Sequence, residues 1–172
     1  MPAAQSQSQS RTRRSTSKSA APQDAIALLK ADHRQVEAWF EEFENSSGAS
    51  KKQKLANQIC TALKVHTQIE EEIFYPACRE AGVDTEAMDE ADIEHEHASM
   101  LVEEIEAGKP GDDHYDARMK VLSEMVKHHV KEEEKREGIF SQARQSDLDL
   151  VELGQELQER KAELMKQMQR RQ

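Results

Sequence analysis

Aromatic residues make up only 4% of this 172-residue chain, and there are just 6 glycines and 4 prolines. That shortage, beside 34% charged residues and plentiful Ala, Glu, Lys, Leu and Gln, favours helices over strands. Cysteine is nearly absent too. Cys60 and Cys78 stand 18 residues apart and form neither a CxxC motif nor a dense pattern, which excludes a disulfide framework. They read as buried or free thiols in a reducing compartment, and the expected location is the cytoplasm. No run of 18 apolar residues exists, so no membrane span is expected, and the N-terminus has no hydrophobic core of a secretory signal. Acidic residues are missing from residues 1–22, which carry Arg11, Arg13, Arg14 and Lys18, or +4. The whole chain is at −10, so the remainder is at −14, with 20 basic against 34 acidic side chains. A body this acidic repels a nucleic-acid backbone, and no nucleic-acid partner is expected.

What is present is helical periodicity. Residues 1–22 lack it and are expected to form a disordered basic tail rich in Ser, Gln and Arg. Apolar stripes then predict four long helices, over about 23–43, 50–75, 85–107 and 113–143. Short loops such as Asn45–Gly48 and Gly108–Gly111 separate them. The expected fold is all-α, an up-down-up-down four-helix bundle over residues 23–143. Residues 144–172 are expected to add a C-terminal helix from Asp147, with Ser146 and Asp149 resembling a capping box. Its stripe (Leu150, Leu153, Leu157, Leu164 and Met168) would lie along the bundle, or pair with a second copy of the chain or another protein.

Polar residues interrupt the middle of these stripes. His33, His66, His95 and His129 fall one per helix, and two are followed four residues later by a glutamate, as His66–Glu70 and His129–Glu133. From His33 to His95 is 62 residues and from His66 to His129 is 63, so a helix pair is used twice. Phase selects among neighbours. At about 100° per residue, His129 and Glu133 lie near the centre of the fourth stripe, His128 and Glu132 toward its edge, and His97 on the solvent side. His114 sits in a loop. A lone histidine on an apolar stripe is ordinarily a hydrogen-bonded core residue. Four on four helices, two with an in-phase glutamate and none with a stripe-centre Arg or Lys, need another explanation. Burying two carboxylates without a cation costs several kcal/mol. Four imidazole nitrogens and two carboxylates fit two metal ions better than one zinc, which four ligands would fill, and mixed imidazole and carboxylate donors suit iron or manganese. A ferritin-like site would need Glu-x-x-His pairs facing the core, and the one such spacing, Glu94–His97, points outward.

The stretches ADHRQVEAWFEEFE, VHTQIEEEIFYPA, DIEHEHASMLVEEIEA and HHVKEEE resemble the hemerythrin-like, HHE cation-binding family over about residues 24–143. The resemblance implies a non-haem centre of two iron ions held by His33, His66, Glu70, His95, His129 and Glu133, with both carboxylates bridging. Oxygen-carrying hemerythrins have a further histidine where Ser99 stands here, and their last carboxylate corresponds to Glu134; Glu71 is a candidate for the missing ligand. The expected function is binding or sensing of dioxygen, peroxide or nitric oxide. The alternatives are an enzyme that consumes peroxide or reduces nitric oxide, an iron store, and a bundle that recruits a partner. Phe40, Ile59, Ile73 and Val126 are the expected apolar walls. Asp32, Tyr75 and Tyr115 are candidates for outer hydrogen-bonding groups.

Overall fold

A computed structural model describes residues 23–170; the expected disordered tail, residues 1–22, lies outside them. The described residues form helices α1 (Ala25–Glu44), α2 (Ala49–Ile69), α3 (Tyr75–Glu80), α4 (Thr85–Ala107), α5 (Tyr115–Glu134), α6 (Ile139–Gln145) and α7 (Leu150–Gln169). A π-helical turn, Glu70–Phe74, joins α2 to α3. Aspartates start three of the helices, because a carboxylate satisfies backbone N–H groups that have no partner in a first turn. Asp24 accepts from Ala27 N at 2.8 Å, Asp84 from Glu86 N and Ala87 N, and Asp149 from Val151 N and Glu152 N. Asp149 is therefore the cap itself, and Ser146 instead closes α6 by donating to Ala143 O at 2.8 Å.

The four long helices α1, α2, α4 and α5 pack in a closed ring in that order, each against the next, with α5 returning to α1. Two apolar clusters show their directions. One holds Leu28, Leu29, Ile69, Met88 and Ile139; the other holds Phe40, Phe43, Leu55, Val102 and Met119. Helices α1 and α4 run from the first cluster to the second, and α2 and α5 run back, giving the up-down-up-down bundle. The polar layer of histidines and glutamates lies between the clusters.

Three departures from the simple helix pattern shape that layer. The second helix does not end at Tyr75: the π turn widens it after Ile69, Tyr75 N–H donates to Glu70 O, and Pro76 sits in the first turn of α3, where its missing N–H does little harm. The fourth helix is not continuous to Ala143. It stops at Glu134, and the chain folds back so tightly at Gly138 that a Cβ there would lie 2.4 Å from Glu132 O and 2.5 Å from Glu133 O. Only glycine fits this approach, which swings α6 and its Phe140 under the bundle. Finally, α7 packs along α1 and α2 within the same chain, burying Leu153, Leu157 and Leu164. Its residue 154 is glycine because a Cβ would meet Gln23 O at 2.4 Å.

Candidate metal centre

All six expected residues come together and are buried: His33, His66, Glu70, His95, His129 and Glu133. The four imidazoles turn their Nε2 atoms inward in two pairs. His33 and His66 Nε2 are 3.0 Å apart, and His95 and His129 Nε2 are 3.2 Å apart. Glu70 spans both pairs, with Oε1 3.2 Å from His66 Nε2 and Oε2 3.4 Å from His95 Nε2. Glu133 reaches both with a single oxygen, Oε2, 3.4 Å from the Nε2 atoms of His33 and His129. Its other oxygen, Oε1, accepts a 2.8 Å hydrogen bond from the Tyr75 hydroxyl.

Each of these four histidines is oriented from behind by a carboxylate on a neighbouring element. Asp32 of α1 faces His66 Nδ1 at 3.4 Å, and Glu71 of the π turn faces His95 Nδ1 at 3.0 Å. Glu94 of α4 faces His129 Nδ1 at 2.8 Å, and Glu134 of α5 faces His33 Nδ1 at 2.8 Å. The pattern runs once round the bundle. An ionised carboxylate only accepts, so each Nδ1 carries the hydrogen and each neutral imidazole is left with a bare lone pair on Nε2. Two such lone pairs 3.0 Å apart need a proton or a metal ion between them. Both oxygens of Glu70 and Oε2 of Glu133 also lack an aligned hydrogen-bond donor among the described residues.

Electrostatics makes the same demand. Burial would push His66 down, but Glu70 and Asp32 outweigh it and raise this imidazole to about 10. Burial and then the neighbouring His66 push His33 below its ordinary value. Burial opposes a charge on His129 as well, yet Glu133 and Glu94 hold it well above the usual histidine range. Glu133, which burial alone would raise, is held at about 2 by His129 and the other histidines. The cluster thus gathers positive charge between its carboxylates.

The donors fit metal ions. Metal–nitrogen bonds of about 2.1 Å at right angles place two ligand atoms about 3.0 Å apart, and tetrahedral angles place them about 3.4 Å apart. The observed separations span this range. Two groups can hold an ion, His33 with His66, Glu70 and Glu133, and Glu70 with His95 and His129. Glu70 belongs to both.

Other expectations are resolved residue by residue. His97, His114 and His128 are exposed. Glu71 and Glu134 serve as the outer partners of His95 and His33 rather than turning inward. Asp32 and Tyr75 occupy the outer positions expected of them, but Tyr115 does not: it is buried in the far cluster beside Phe43, with its ring 6.4 Å away. The apolar walls also differ. A cavity of about 50 Å³ adjoins the four histidines, and its apolar lining includes Val36, Leu63, Val102, Val126 and Val130. Of the expected walls only Val126 is there; Phe40 and Ile59 pack in the far cluster, and Ile73 is partly buried at the other end. Two aromatic rings complete the centre. Phe140 stacks on His33 at 5.7 Å and 7°, and Tyr75 stacks on His95 at 5.7 Å and 20°.

Comparison with known proteins agrees with this geometry. A DNA nickase from Nostoc sp. is 30% identical over 107 residues, covering 62% of this chain and 30% of that protein, so the chain spans less than a third of that relative's length. A solved structure of a hemerythrin HHE cation-binding domain-containing protein from Mycobacterium kansasii matches with a TM-score of 0.64 at 16% identity, over 82% of this chain and 86% of that one. At that identity the likeness is one of fold. The description of the hemerythrin HHE cation-binding domain matches residues 24–137, two thirds of the sequence, and the chain belongs to that family.

Proposed function

We propose that His33, His66, His95 and His129, with Glu70 and Glu133 shared between the pairs, hold two iron ions, and that the centre binds or senses a small oxidant: dioxygen, peroxide or nitric oxide. The observation that carries this reading is the apolar cavity against the four histidines. A cavity needs about 10–15 Å³ to hold one water, so about 50 Å³ has room for a molecule of a few atoms. An iron pair, when bound, supplies electrons one at a time and a position for such a molecule.

The protein's own groups bind, orient and exclude water. The imidazoles offer Nε2 because their Nδ1 atoms are tied to carboxylates, which fixes ring orientation and raises basicity. Tyr75 is raised well above its ordinary value by burial and by Glu70 and Glu133, so it stays protonated and keeps donating to Glu133 Oε1. Val36, Leu63, Val102, Val126 and Val130 keep the approach dry, and Phe140 and Tyr75 close the opposite side. The two free, buried thiols accord with a reducing cytoplasm. No helix among the described residues is long and apolar enough to cross a membrane.

Metal analysis of the purified protein is the first test, and two irons per chain is the expected result; a single zinc would overturn the assignment. Anaerobic reduction followed by addition of nitric oxide or peroxide should then change the iron absorption spectrum. Sustained oxygen evolution from peroxide would make the protein an enzyme, and a single stoichiometric reaction would make it a binder or sensor.

A further inference from the structure

The two halves of the centre have similar donors, yet their surroundings differ. Each half has two imidazoles and reaches both glutamates, although Glu133 falls within the donor group of His33 and His66 only. The difference lies in what stands behind the outer carboxylates. Asp32, behind His66, is bonded by Lys161 of α7. Glu134, behind His33, is bonded by Arg34, with Lys30 at 3.7 Å. Glu71 and Glu94, behind His95 and His129, have no Lys or Arg partner among the described residues. Helix α7 is also pinned beside the site a second time, where Arg160 grips both oxygens of Glu72 in the π turn at 2.7 and 3.1 Å.

We propose that the two metal positions are chemically unequal and that Lys161, on the C-terminal helix, is a positioning residue that makes them so. This rests on the two-metal reading of the cluster. A cation bonded to an outer carboxylate draws its negative charge away from the imidazole N–H, and the ring becomes a weaker donor to its metal. The positive charge also acts directly on the metal through a partly buried path where screening is weak. Both effects favour the lower oxidation state at the His33–His66 position. The His95–His129 position, whose outer carboxylates meet no Lys or Arg among the described residues and only the exposed His128 Nε2, 3.4 Å from Glu94, has the more strongly donating imidazoles and is oxidised first. The C-terminal helix is therefore an electrostatic part of the centre.

The test uses the full chain loaded with isotopically enriched iron, Mössbauer spectroscopy to distinguish the two positions, and a spectroelectrochemical titration to follow their oxidation. The unaltered protein should show two irons per chain, two distinct signals and two oxidation steps. Lys161→Met should lower the potential of the later step and move one signal only. Lys161→Arg should restore both, and Asp32→Asn, which weakens the acceptor behind His66, should move the same step upward. Circular dichroism checks folding, and Lys161→Gln reads the same charge loss if the methionine variant is unstable. Two identical signals in the unaltered protein, or a Lys161→Met variant that moves neither step or both equally, would overturn the inference while leaving the two-metal reading intact. Fewer than two irons in the unaltered protein would overturn both.

Discussion

Tyr75→Phe removes one hydrogen bond from the centre and little else. The ring is fully buried and stacks on His95, and both features survive the change. Among the described residues the lost atom is the only donor to Glu133 Oε1, whose partner oxygen already has none. A hydrogen bond to a charged group contributes about 1.5–3 kcal/mol. That corresponds to about a 10- to 150-fold change in the folding equilibrium, or a fall of roughly 3–12 °C in Tm for a domain of this size. Freed from Tyr75, Glu133 can rotate about its last bond, and the oxygen shared by the two histidine pairs loses its placement. Outer-group losses of this kind cost about 10- to 100-fold in metal affinity. Thermal unfolding with and without metal, and competition for metal against a chelator, measure the two effects. A double-mutant cycle with Glu133→Gln should show them coupled. An unchanged Tm and unchanged metal retention would refute the claim that Tyr75 holds Glu133 in place.

The thiols give a second prediction: burial, with Glu106 acting on Cys60 and with Glu133 and Glu70 acting on Cys78, pushes each to about 12. At pH 8 the native thiolate fraction is about one part in ten thousand, so disulfide reagents should label neither until the protein unfolds. Because these thiols resist ionisation only when folded, stability should fall as pH rises above their unfolded value near 9.0; a flat profile through that window would count against it. Gly138→Ala should cost about 1–3 kcal/mol in urea unfolding, since its Cβ collides with backbone oxygens that cannot move without α5, and an unchanged midpoint would show the fold-back to be slack. Val126→Phe should fill the cavity and abolish azide or nitric oxide binding while iron content stays at the unaltered level; intact binding would place the ligand elsewhere.

Much of this centre could be read from the sequence because helical phase is local. The spacing of His66 and Glu70, and of His129 and Glu133, follows from about 100° per residue and nothing else. Phase also misleads where the helix changes pitch. Counted as a regular helix, Tyr75 falls about 180° from His66. The extra residue of the π turn brings it back to about 80°, where its hydroxyl meets Glu133. Phe140 lies in phase with Glu133 on the fourth stripe, but its contact with His33 depends on a backbone reversal whose only signal is one glycine. The outer carboxylates carry a sequence signal of their own. Asp32 and Glu94 immediately precede a ligand, and Glu71 and Glu134 immediately follow one. In antiparallel helices these opposite offsets point in the same rotational sense around the bundle. Glu94, outward-facing by phase alone, touches the next helix for this reason. The repeat offsets of 62 and 63 residues that relate the ligands also relate Asp32 to Glu94 and Glu71 to Glu134.

The polar layer also acts as a registration mark. Smooth apolar stripes let helices slide past one another by a turn, about 5.4 Å, with modest loss of contact. Here a slip of one helix would bury an imidazole among leucines and leave a carboxylate of its neighbour without a partner. Four helices carrying one histidine each can align all four in only one way, and the ring of outer carboxylates checks that alignment a second time. Buried polar groups often lower stability relative to apolar packing but exclude wrong arrangements. In this protein the residues gathered to hold metal also set where each helix stops sliding, so a chain emptied of metal keeps the mark that lets it be refilled.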